Sequence, residues 1–309
     1  MGANLQILGL QAIPRLAKKF DVDLEGFLTY SDLYGKTAGE FKKACDNCLK
    51  ILNRFFEKYS ISWWDVYSDS DIGMERIALA RDMGLEKDDA VLELGCGRGY
   101  FSVAAARFAE RVIGLDVMNG GGRYGWWKNF KETIAELDLK HKVIGLKADC
   151  QTISMKDCSL NKVIAAHSIR NLRNKHVIQN ALREMYRVLS KDGEMIVAEN
   201  IPIARNKSQE AHLAFYGCKC KYISGDLFYF SQEEFQEMFK EAGLGEADFK
   251  LADYNLSAAP PIFYLNTSLL KKEQIEKAQK EYNEAVDLIR KHGETSPSTL
   301  IIKVTKHSK

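Results

Sequence analysis

The chain has 309 residues, and its 44 lysines and arginines against 42 aspartates and glutamates give a formal net charge of +2. Hydrophobic residues make up 46% and charged residues 28%, proportions typical of a globular protein that exclude collagen and intrinsic disorder. No segment approaches the roughly 18 apolar residues that a bilayer-spanning helix needs. The near-neutral charge argues against a duplex nucleic-acid binder. Because seven cysteines are too few for a disulfide scaffold and no secretory signal pattern opens the chain, we expect a cytoplasmic protein.

Residues 1–70 are predicted to be mainly helical. Apolar residues alternate with Arg15, Lys18 and Lys19 in the first twenty positions, which is typical of a terminal helix packed on its own domain or of an amphipathic helix on a membrane surface. Pro14 is expected to interrupt this helix. A second amphipathic helix is predicted over residues 38–59, because apolar residues recur there at helical spacing.

Beyond Gly84, short β-rich runs alternate with helical stretches. The predicted strands read DAVLEL, RVIGLD, KVIGLKAD, KVIAAH and EMIVAEN, and the predicted helices between them cover residues 100–109, 128–137 and 177–189. Strands that are apolar on both faces and separated by helices indicate a doubly wound, mostly parallel sheet with helices on both faces. A turn is predicted at 191–193 and an irregular aromatic stretch after Asn200. The remaining predicted elements are a helix opened by Ser231 and ended by Gly243, a charged helix at 271–292 and a strand at 300–304.

The run VLELGCGRG, residues 91–99, leads from a predicted strand through Gly95, Gly97 and Gly99 directly into a helix. Such a turn lets a ligand approach the backbone closely, and the helix N-terminus offers unpaired N–H groups. The dinucleotide fingerprint GxGxxG needs a glycine where this chain has Tyr100. The observed GxGxG spacing therefore disfavours nicotinamide binding.

The next two strands end in acids. Asp116 closes the strand after the glycine turn, where a carboxylate can accept both hydroxyls of a ribose. Asp149, followed by Cys150, closes the third strand, where an acid can reach an adenine amino group while Val117 and Met118 flank the ring. Together with the glycine turn, these acids predict a nucleoside site.

On these motifs the chain resembles the class I S-adenosylmethionine-dependent methyltransferases, in particular the subgroup that includes the ubiquinone and menaquinone C-methyltransferases. VLELGCGRG looks like their first motif, RVIGLD their second and LKADC their third, and ALREMYRVLSKDGEMIVAE is similar to their later helix and fifth strand. The resemblance covers residues 85–200. It implies a Rossmann-like sheet of seven strands, S-adenosylmethionine as cofactor and S-adenosylhomocysteine as product. The implied cofactor-binding residues are Glu93, Gly95, Cys96, Gly97, Gly99, Asp116, Val117, Met118, Asp149, Cys150 and His167.

The chain departs from the family's pattern in two places. Residues 119–127 add the glycine-rich run NGGGRYGWW, which would wrap the adenine edge, line the acceptor pocket or lie on the surface. The helix at 271–292 would cover the fold or form the face of a homodimer. The expected segments are an N-terminal lid for substrate recognition at 1–70 and a methyltransferase domain at 71–309, with its core at 85–202, an aromatic acceptor-site insertion at 203–230, a helical insertion at 267–293 and the last strand at 299–305.

Methyl transfer from a sulfonium is an in-line displacement that requires a positioned acceptor and exclusion of water. Where the acceptor carries a proton, His167 and Glu199 are candidate bases, and Arg170 is suited to an anionic acceptor. The Asn/Asp-Pro-Pro-aromatic segment of adenine and cytosine methyltransferases is replaced here by AAHSIRN. The expected partner is therefore a small-molecule or lipid-like acceptor and not a nucleic acid. Aromatic residues suited to such an acceptor are Tyr34, Trp64, Tyr67, Tyr216 and Tyr222.

Two cysteine pairs, Cys45 with Cys48 and Cys218 with Cys220, are compatible in number with a zinc site. The first pair falls on a predicted amphipathic helix, where cysteine acts as a small hydrophobe, so no metal is expected. Three functional alternatives remain open at this point. They are a cofactor-binding subunit without turnover, an arsenite methyltransferase and a nicotinamide-dependent oxidoreductase.

Overall fold

The computed structural model describes residues 3–117, 126–224, 227–257, 265 and 270–307. By its internal contacts the chain divides into two compact units. The first comprises residues 1–75, 203–228 and 254–297, and the second comprises residues 76–202, 229–253 and 298–309. All of residues 1–70 and most of the two later insertions thus fall in the first unit.

Within the described residues, seven strands form one sheet in the second unit. They are β1 Ala90–Leu94, β2 Arg111–Asp116, β3 Val143–Lys147, β4 Leu160–Ala166, β5 Leu189–Asn200, β6 Asp248–Ala252 and β7 Thr299–Thr305. Their order is β3-β2-β1-β4-β5-β7-β6. The first five strands pair in parallel, and β7 pairs antiparallel with β5 and β6. The predicted doubly wound, mostly parallel sheet is confirmed, and its chain order reverses at β1, where such sheets bind ligands.

Ten α-helices lie in the described residues. They are α1 Ala3–Phe20, α2 Ala38–Tyr59, α3 Trp63–Asp69, α4 Asp71–Asp82, α5 Tyr100–Ala105, α6 Trp126–Glu136, α7 Lys175–Val188, α8 Lys207–Lys219, α9 Gln232–Glu241 and α10 Lys272–His292. Local signals explain several of their ends. The side chain of Asn174 caps α7 by accepting from the N–H groups of His176 and Val177. The predicted capping box of Ser231 and Glu234 opens α9.

Helix α1 runs through Pro14 without a break, so the predicted interruption is wrong. Packing explains the continuity, because α1 lies against α2 and α3 and its apolar residues are buried there. A Cβ added to Gly9 would lie 2.5 Å from Cδ1 of Leu52, which shows how closely α1 and α2 approach. In the described residues, the apolar stripe of α1 is covered by the chain itself. Of the helices that the structure describes, none combines the length and apolar composition that crossing a bilayer requires.

Replacing Pro14 by alanine is expected to stabilise the first unit. Alanine restores an N–H donor inside α1 and removes the ring's clash with the preceding turn, and a larger entropy of the unfolded chain offsets part of this gain. We expect Pro14→Ala to raise the free energy of unfolding by about 1–2 kcal/mol in urea titrations. Lys18→Ala, an exposed change in the same helix, serves as the control. An unchanged or lower stability of Pro14→Ala would contradict this account of α1.

Two other local expectations need correction. Residues 191–193, where a turn is expected, lie inside β5, and Asp192 has a φ of 57°. Backbone pairing with the segment after β7 explains this, because the N–H of Asp192 donates to the carbonyl of Lys306 and the N–H of Lys306 donates to the carbonyl of Gly193. The stretch after Asn200 is not irregular, since it contains α8 followed by a π-helical turn, Cys220–Ser224. Its buried residues Ala211, Phe215, Cys218 and Tyr222 recur at helical spacing, a signal that the abundance of aromatic residues obscures.

Candidate functional site

The glycine turn between β1 and α5 has a backbone that requires glycine. Gly95, Gly97 and Gly99 adopt φ values of 69°, 51° and 84°, in the left-handed region that other residues rarely enter. A Cβ on Gly95 would lie 2.5 Å from Cβ of Ser168, and one on Gly99 would lie 2.9 Å from Cδ2 of Phe130. The N–H groups of Gly95 and Cys96 donate to the carbonyl of Leu115 at 2.7 and 3.1 Å, which ties the turn to β2. Cys96 itself is buried.

Asp116, the last residue of β2, lies directly beside this turn. Its Oδ2 accepts a hydrogen bond from the N–H of Gly97 at 3.0 Å, and the residue is 5% exposed. Val117 follows it and is half-buried. Met118 and residues 119–125 of the glycine-rich run lie outside the described residues, and residues 126 and 127 of that run begin α6. The structure thus joins the predicted second acid to the predicted glycine turn by a direct contact.

Glu93 supports the same turn from within β1. Its carboxylate accepts a hydrogen bond from the hydroxyl of Ser102 in α5, and the residue is buried. Burial raises the pKa of Glu93 to about 7, while the hydrogen bond from Ser102 and the positive charge of Arg76 act in the opposite direction. Glu93 therefore holds β1 and α5 together on either side of the glycine turn.

The segment after β4 reaches the same edge of the sheet. His167 has φ 51°, and its N–H donates to the carbonyl of Ala198 at 2.8 Å. The hydroxyl of Ser168 donates to the carbonyl of Leu94 at 2.7 Å, beside Gly95. Burial and the charges of Arg76 and Arg170 hold the pKa of His167 well below its usual value, so its imidazole is neutral at neutral pH.

The depressed pKa of His167 predicts a pH dependence of stability. Below pH 6.5, the ordinary histidine pKa, the unfolded chain binds a proton on this residue that the folded chain does not. Stability is therefore lost as the pH falls, by up to about 1.4 kcal/mol per pH unit. Urea titrations of wild type and His167→Gln at pH 6.5 and 5.5 should show a smaller loss in the variant. Equal losses in both proteins would contradict the depressed pKa.

Glu199 and Arg170 lie together next to His167. Glu199, in β5, is 0% exposed and accepts a hydrogen bond from the N–H of Ile169 at 2.7 Å. Its second oxygen lies 3.6 Å from Nε of Arg170. Burial raises the pKa of Glu199 to about 7, while the charges of Arg170 and Arg76 lower it. The guanidinium of Arg170 also lies 4.9 Å from the ring centroid of Tyr229.

The third strand ends in a more open region. Asp149 is exposed, and its Oδ1 accepts from the N–H of Gln151 at 2.8 Å in a local turn. Cys150 is half-buried, and burial raises the pKa of its thiol to about 12. Neither residue is tied to the glycine turn by a hydrogen bond that the structure shows between described residues.

Arg76, in α4, is a site residue that sequence reasoning missed. Its positive charge lowers the pKa of Glu93, His167 and Glu199, so it lies within electrostatic reach of all three. The available signal was weak, because an arginine in a helix ahead of the first strand has no distinctive motif. The charges of Arg76 and Arg170 thus both act on the neutral imidazole of His167 at this edge of the sheet.

The five aromatic residues predicted to contact an acceptor belong to the first unit. Tyr34, Tyr67, Tyr216 and Tyr222 are buried in its interior, and Trp64 is half-buried. All four have identifiable packing partners: Tyr34 packs edge-on against Phe215, Tyr67 packs edge-on against Trp64, Tyr216 stacks on His212, and Tyr222 lies in the cluster between α8 and α10. The structure therefore shows these four mainly as core residues.

The cysteine pairs are also built into the packing. Cys45 and Cys48 are buried on one face of α2, and burial raises the pKa of Cys45 to about 11 and that of Cys48 further. Burial likewise raises the pKa of Cys218 to about 11. Within the described ranges, no group of three or more potential metal-binding side chains occurs.

Comparisons with known proteins address the same region. A family model described as a methyltransferase domain matches residues 92–197. Over 111 residues the chain is 29% identical to a demethylmenaquinone methyltransferase of Bacteroides fragilis, a match that covers 35% of this chain and 42% of that protein. Over 193 residues it is 24% identical to a ubiquinone/menaquinone biosynthesis C-methyltransferase of Klebsiella pneumoniae, covering 57% and 72%. The chain thus spans less than half the length of the Bacteroides relative.

One solved structure shows the fold over a longer range. A cyclopropane-fatty-acyl-phospholipid synthase-like protein from Lactobacillus casei aligns with a TM-score of 0.59 at 14% identity. The alignment covers 89% of this chain and 97% of that one. At this identity the likeness is one of fold.

Proposed function

Because residues 92–197 make this chain a member of the class I S-adenosylmethionine-dependent methyltransferases, we propose that it transfers the methyl group of S-adenosylmethionine to a small-molecule acceptor. The observation that carries the proposal is the glycine turn with the buried Asp116 hydrogen-bonded to it. The three glycines of the turn have positive φ values, and the turn lies at the carboxyl end of β1, where the strand order of the sheet reverses. Nucleoside-bearing cofactors bind at this position in open α/β sheets.

In this proposal the cofactor is held by residues of β1, β2 and β3. The glycine turn would border its methionine part, with Glu93 supporting the turn. Asp116 would accept the ribose hydroxyls, as an acid at this position does in nucleoside-binding sheets. The further candidates are Cys96, Val117, Met118, Asp149, Cys150 and His167.

When bound, the cofactor supplies a methyl group already activated by its sulfonium charge, so the protein mainly orients the acceptor and excludes water. A neutral His167 can accept a proton from an acceptor hydroxyl. Arg170 is suited to balance the negative charge that this deprotonation leaves on oxygen. The residues after β4 would thus serve the acceptor.

The proposed acceptor is a reduced, lipid-tailed quinone that is methylated at a ring carbon. Two relatives support this assignment by their names, the demethylmenaquinone methyltransferase and the ubiquinone/menaquinone biosynthesis C-methyltransferase. A hydroquinone also matches the chemistry of His167 and Arg170, because its hydroxyl loses a proton to become an electron-rich, negatively charged ring. We propose this acceptor class for the chain.

Residues 1–70 are proposed to serve acceptor recognition as a lid. Trp64 is half-buried, and among the five aromatic residues it is the one that retains accessible surface. We expect Trp64→Ala to raise the KM for the acceptor several-fold, since the accessible part of the indole supplies apolar contact area. The affinity for S-adenosylhomocysteine should stay within twofold of wild type. An unchanged KM would contradict a role of Trp64 in acceptor binding.

The test of the function uses 1,4-naphthohydroquinone, a soluble ring without the lipid tail. The 309-residue protein is incubated with S-adenosylmethionine and this probe under reducing conditions, and the quinone is analysed by mass spectrometry after oxidation in air. Formation of 2-methyl-1,4-naphthoquinone together with S-adenosylhomocysteine is the expected result. Binding of S-adenosylhomocysteine without methylation of the probe or of a lipid-tailed analogue would contradict the quinone acceptor and favour a subunit without turnover.

A further inference from the structure

Glu199 places a carboxylate in the buried interior of the sheet, where a charged group needs compensating contacts. Its backbone pairs with Leu300 of β7, the adjacent Ala198 pairs with Ala166 of β4, and its side chain is 0% exposed. An ionised carboxylate in such a place is costly unless hydrogen bonds or an opposite charge compensate it. Its contacts therefore indicate its role.

Both oxygens of Glu199 face the short 3-10 helix that follows β4, Ile169–Leu172. Oε1 accepts from the N–H of Ile169 at 2.7 Å, and Oε2 lies 3.6 Å from Nε of Arg170. The other charge that acts on Glu199 is that of Arg76 in α4. Glu199 thus holds both the backbone and the arginine of this helix.

Arg170 is also held by an aromatic ring. Its guanidinium lies 4.9 Å from the ring centroid of Tyr229, which is 5% exposed, and the Arg170 side chain is itself 15% exposed. A guanidinium that is both ion-paired and stacked loses little further freedom when it binds an anion. The cation is therefore oriented in advance and keeps a small accessible surface.

These contacts distinguish between two possible roles of Glu199, that of a general base and that of a residue that positions Arg170. A general base must come within hydrogen-bond distance of the proton that it removes. Glu199 has no exposed surface, and its oxygens point at Ile169 and Arg170. Arg170 does retain exposed surface, so an effect of Glu199 on the acceptor would pass through Arg170.

We infer that Glu199 is a positioning residue that acts through Arg170 and fixes the guanidinium to meet a negatively charged oxygen of the acceptor. This inference rests on the proposed methyl transfer. It narrows the acceptor class to molecules with an ionisable oxygen, such as hydroquinones. It also replaces the role of base that the sequence suggests for Glu199.

A double-mutant cycle with S-adenosylmethionine and 1,4-naphthohydroquinone tests the inference. Glu199→Gln keeps an oxygen for the N–H of Ile169 but brings an amide N–H group towards Arg170. We expect it to lower kcat by roughly 10-fold or more, because small misplacements of an orienting group have large effects on rate. Arg170→Gln should lower kcat at least as much, and the double variant should match Arg170→Gln within twofold. Glu199→Asp, which keeps the charge, should recover part of the loss.

The matched control is Glu194→Gln, which removes an ion-paired carboxylate from the same strand. Its kcat should equal that of wild type, and all variants should bind S-adenosylhomocysteine within twofold of wild type. The inference would be overturned if the fold-decreases in kcat of the two single variants multiplied in the double variant, or if Glu199→Gln kept full activity. If Glu199→Gln does not fold, Glu199→Asp takes its place in the cycle.

A second readout does not depend on turnover. Amide hydrogen exchange of residues 168–172 is measured by mass spectrometry in the protein saturated with S-adenosylhomocysteine. Glu199→Ala, which leaves the N–H of Ile169 without its acceptor, should exchange faster in this segment than wild type. Unchanged exchange would overturn the inference, whereas absence of methylation by wild type would count against the quinone acceptor alone.

Discussion

Asp116→Ala should weaken binding of S-adenosylhomocysteine by roughly 100-fold, because it removes two charge-assisted hydrogen bonds to the ribose at about 1.5 kcal/mol each. The variant also loses the hydrogen bond from the N–H of Gly97, which now ties the glycine turn to β2. Both effects weaken binding of the cofactor, and neither depends on the presence of the acceptor. Calorimetric titration of the purified variant measures the change directly.

Two further variants separate the charge of Asp116 from its place in the fold. Asp116→Asn keeps an oxygen for the N–H of Gly97 and should lie between wild type and Asp116→Ala in affinity. Asp248→Ala removes an exposed aspartate at the start of β6 and should bind as wild type does. Wild-type affinity of Asp116→Ala would refute the ribose assignment.

Gly95→Ala should abolish measurable cofactor binding and destabilise the second unit by about 2 kcal/mol or more. Two physical causes act together. The φ of 69° is unfavourable for an L residue, and the new Cβ would lie 2.5 Å from Cβ of Ser168. Because the hydroxyl of Ser168 is bonded to the carbonyl of Leu94, the serine cannot move away without breaking that contact.

Gly245→Ala is the matched control for Gly95→Ala. A Cβ on Gly245 would meet no atom within 4 Å, so its stability and cofactor affinity should stay close to those of wild type. Urea unfolding and calorimetry on both variants complete the comparison. Normal cofactor affinity of Gly95→Ala would mean that the glycine turn does not border the cofactor.

The sheet and the glycine turn were predictable because their signals are local. A parallel strand buried on both faces reads as a continuous apolar run, and a turn with positive φ values requires glycine at fixed positions. The contact between Asp116 and Gly97 follows from the same logic, since parallel strands end at the same edge of a sheet. These features depend on short segments whose pattern carries the geometry.

The remaining features depend on contacts between distant segments. Nothing near Arg76 in the chain indicates that its charge reaches Glu93, His167 and Glu199. The burial of Glu199 against Ile169 is likewise a product of β4 and β5 pairing. The continuity of α1 through Pro14 depends on packing against α2 and α3, which outweighs the local cost of proline.

The most direct test of cofactor binding is a calorimetric titration of the 309-residue protein with S-adenosylhomocysteine. We expect one site per chain with an affinity in the micromolar range, about −8 kcal/mol. Asp116→Ala should lose most of this binding, and Asp248→Ala should keep it. Absence of binding to the wild-type protein would contradict the assignment of the glycine turn and Asp116 to this cofactor.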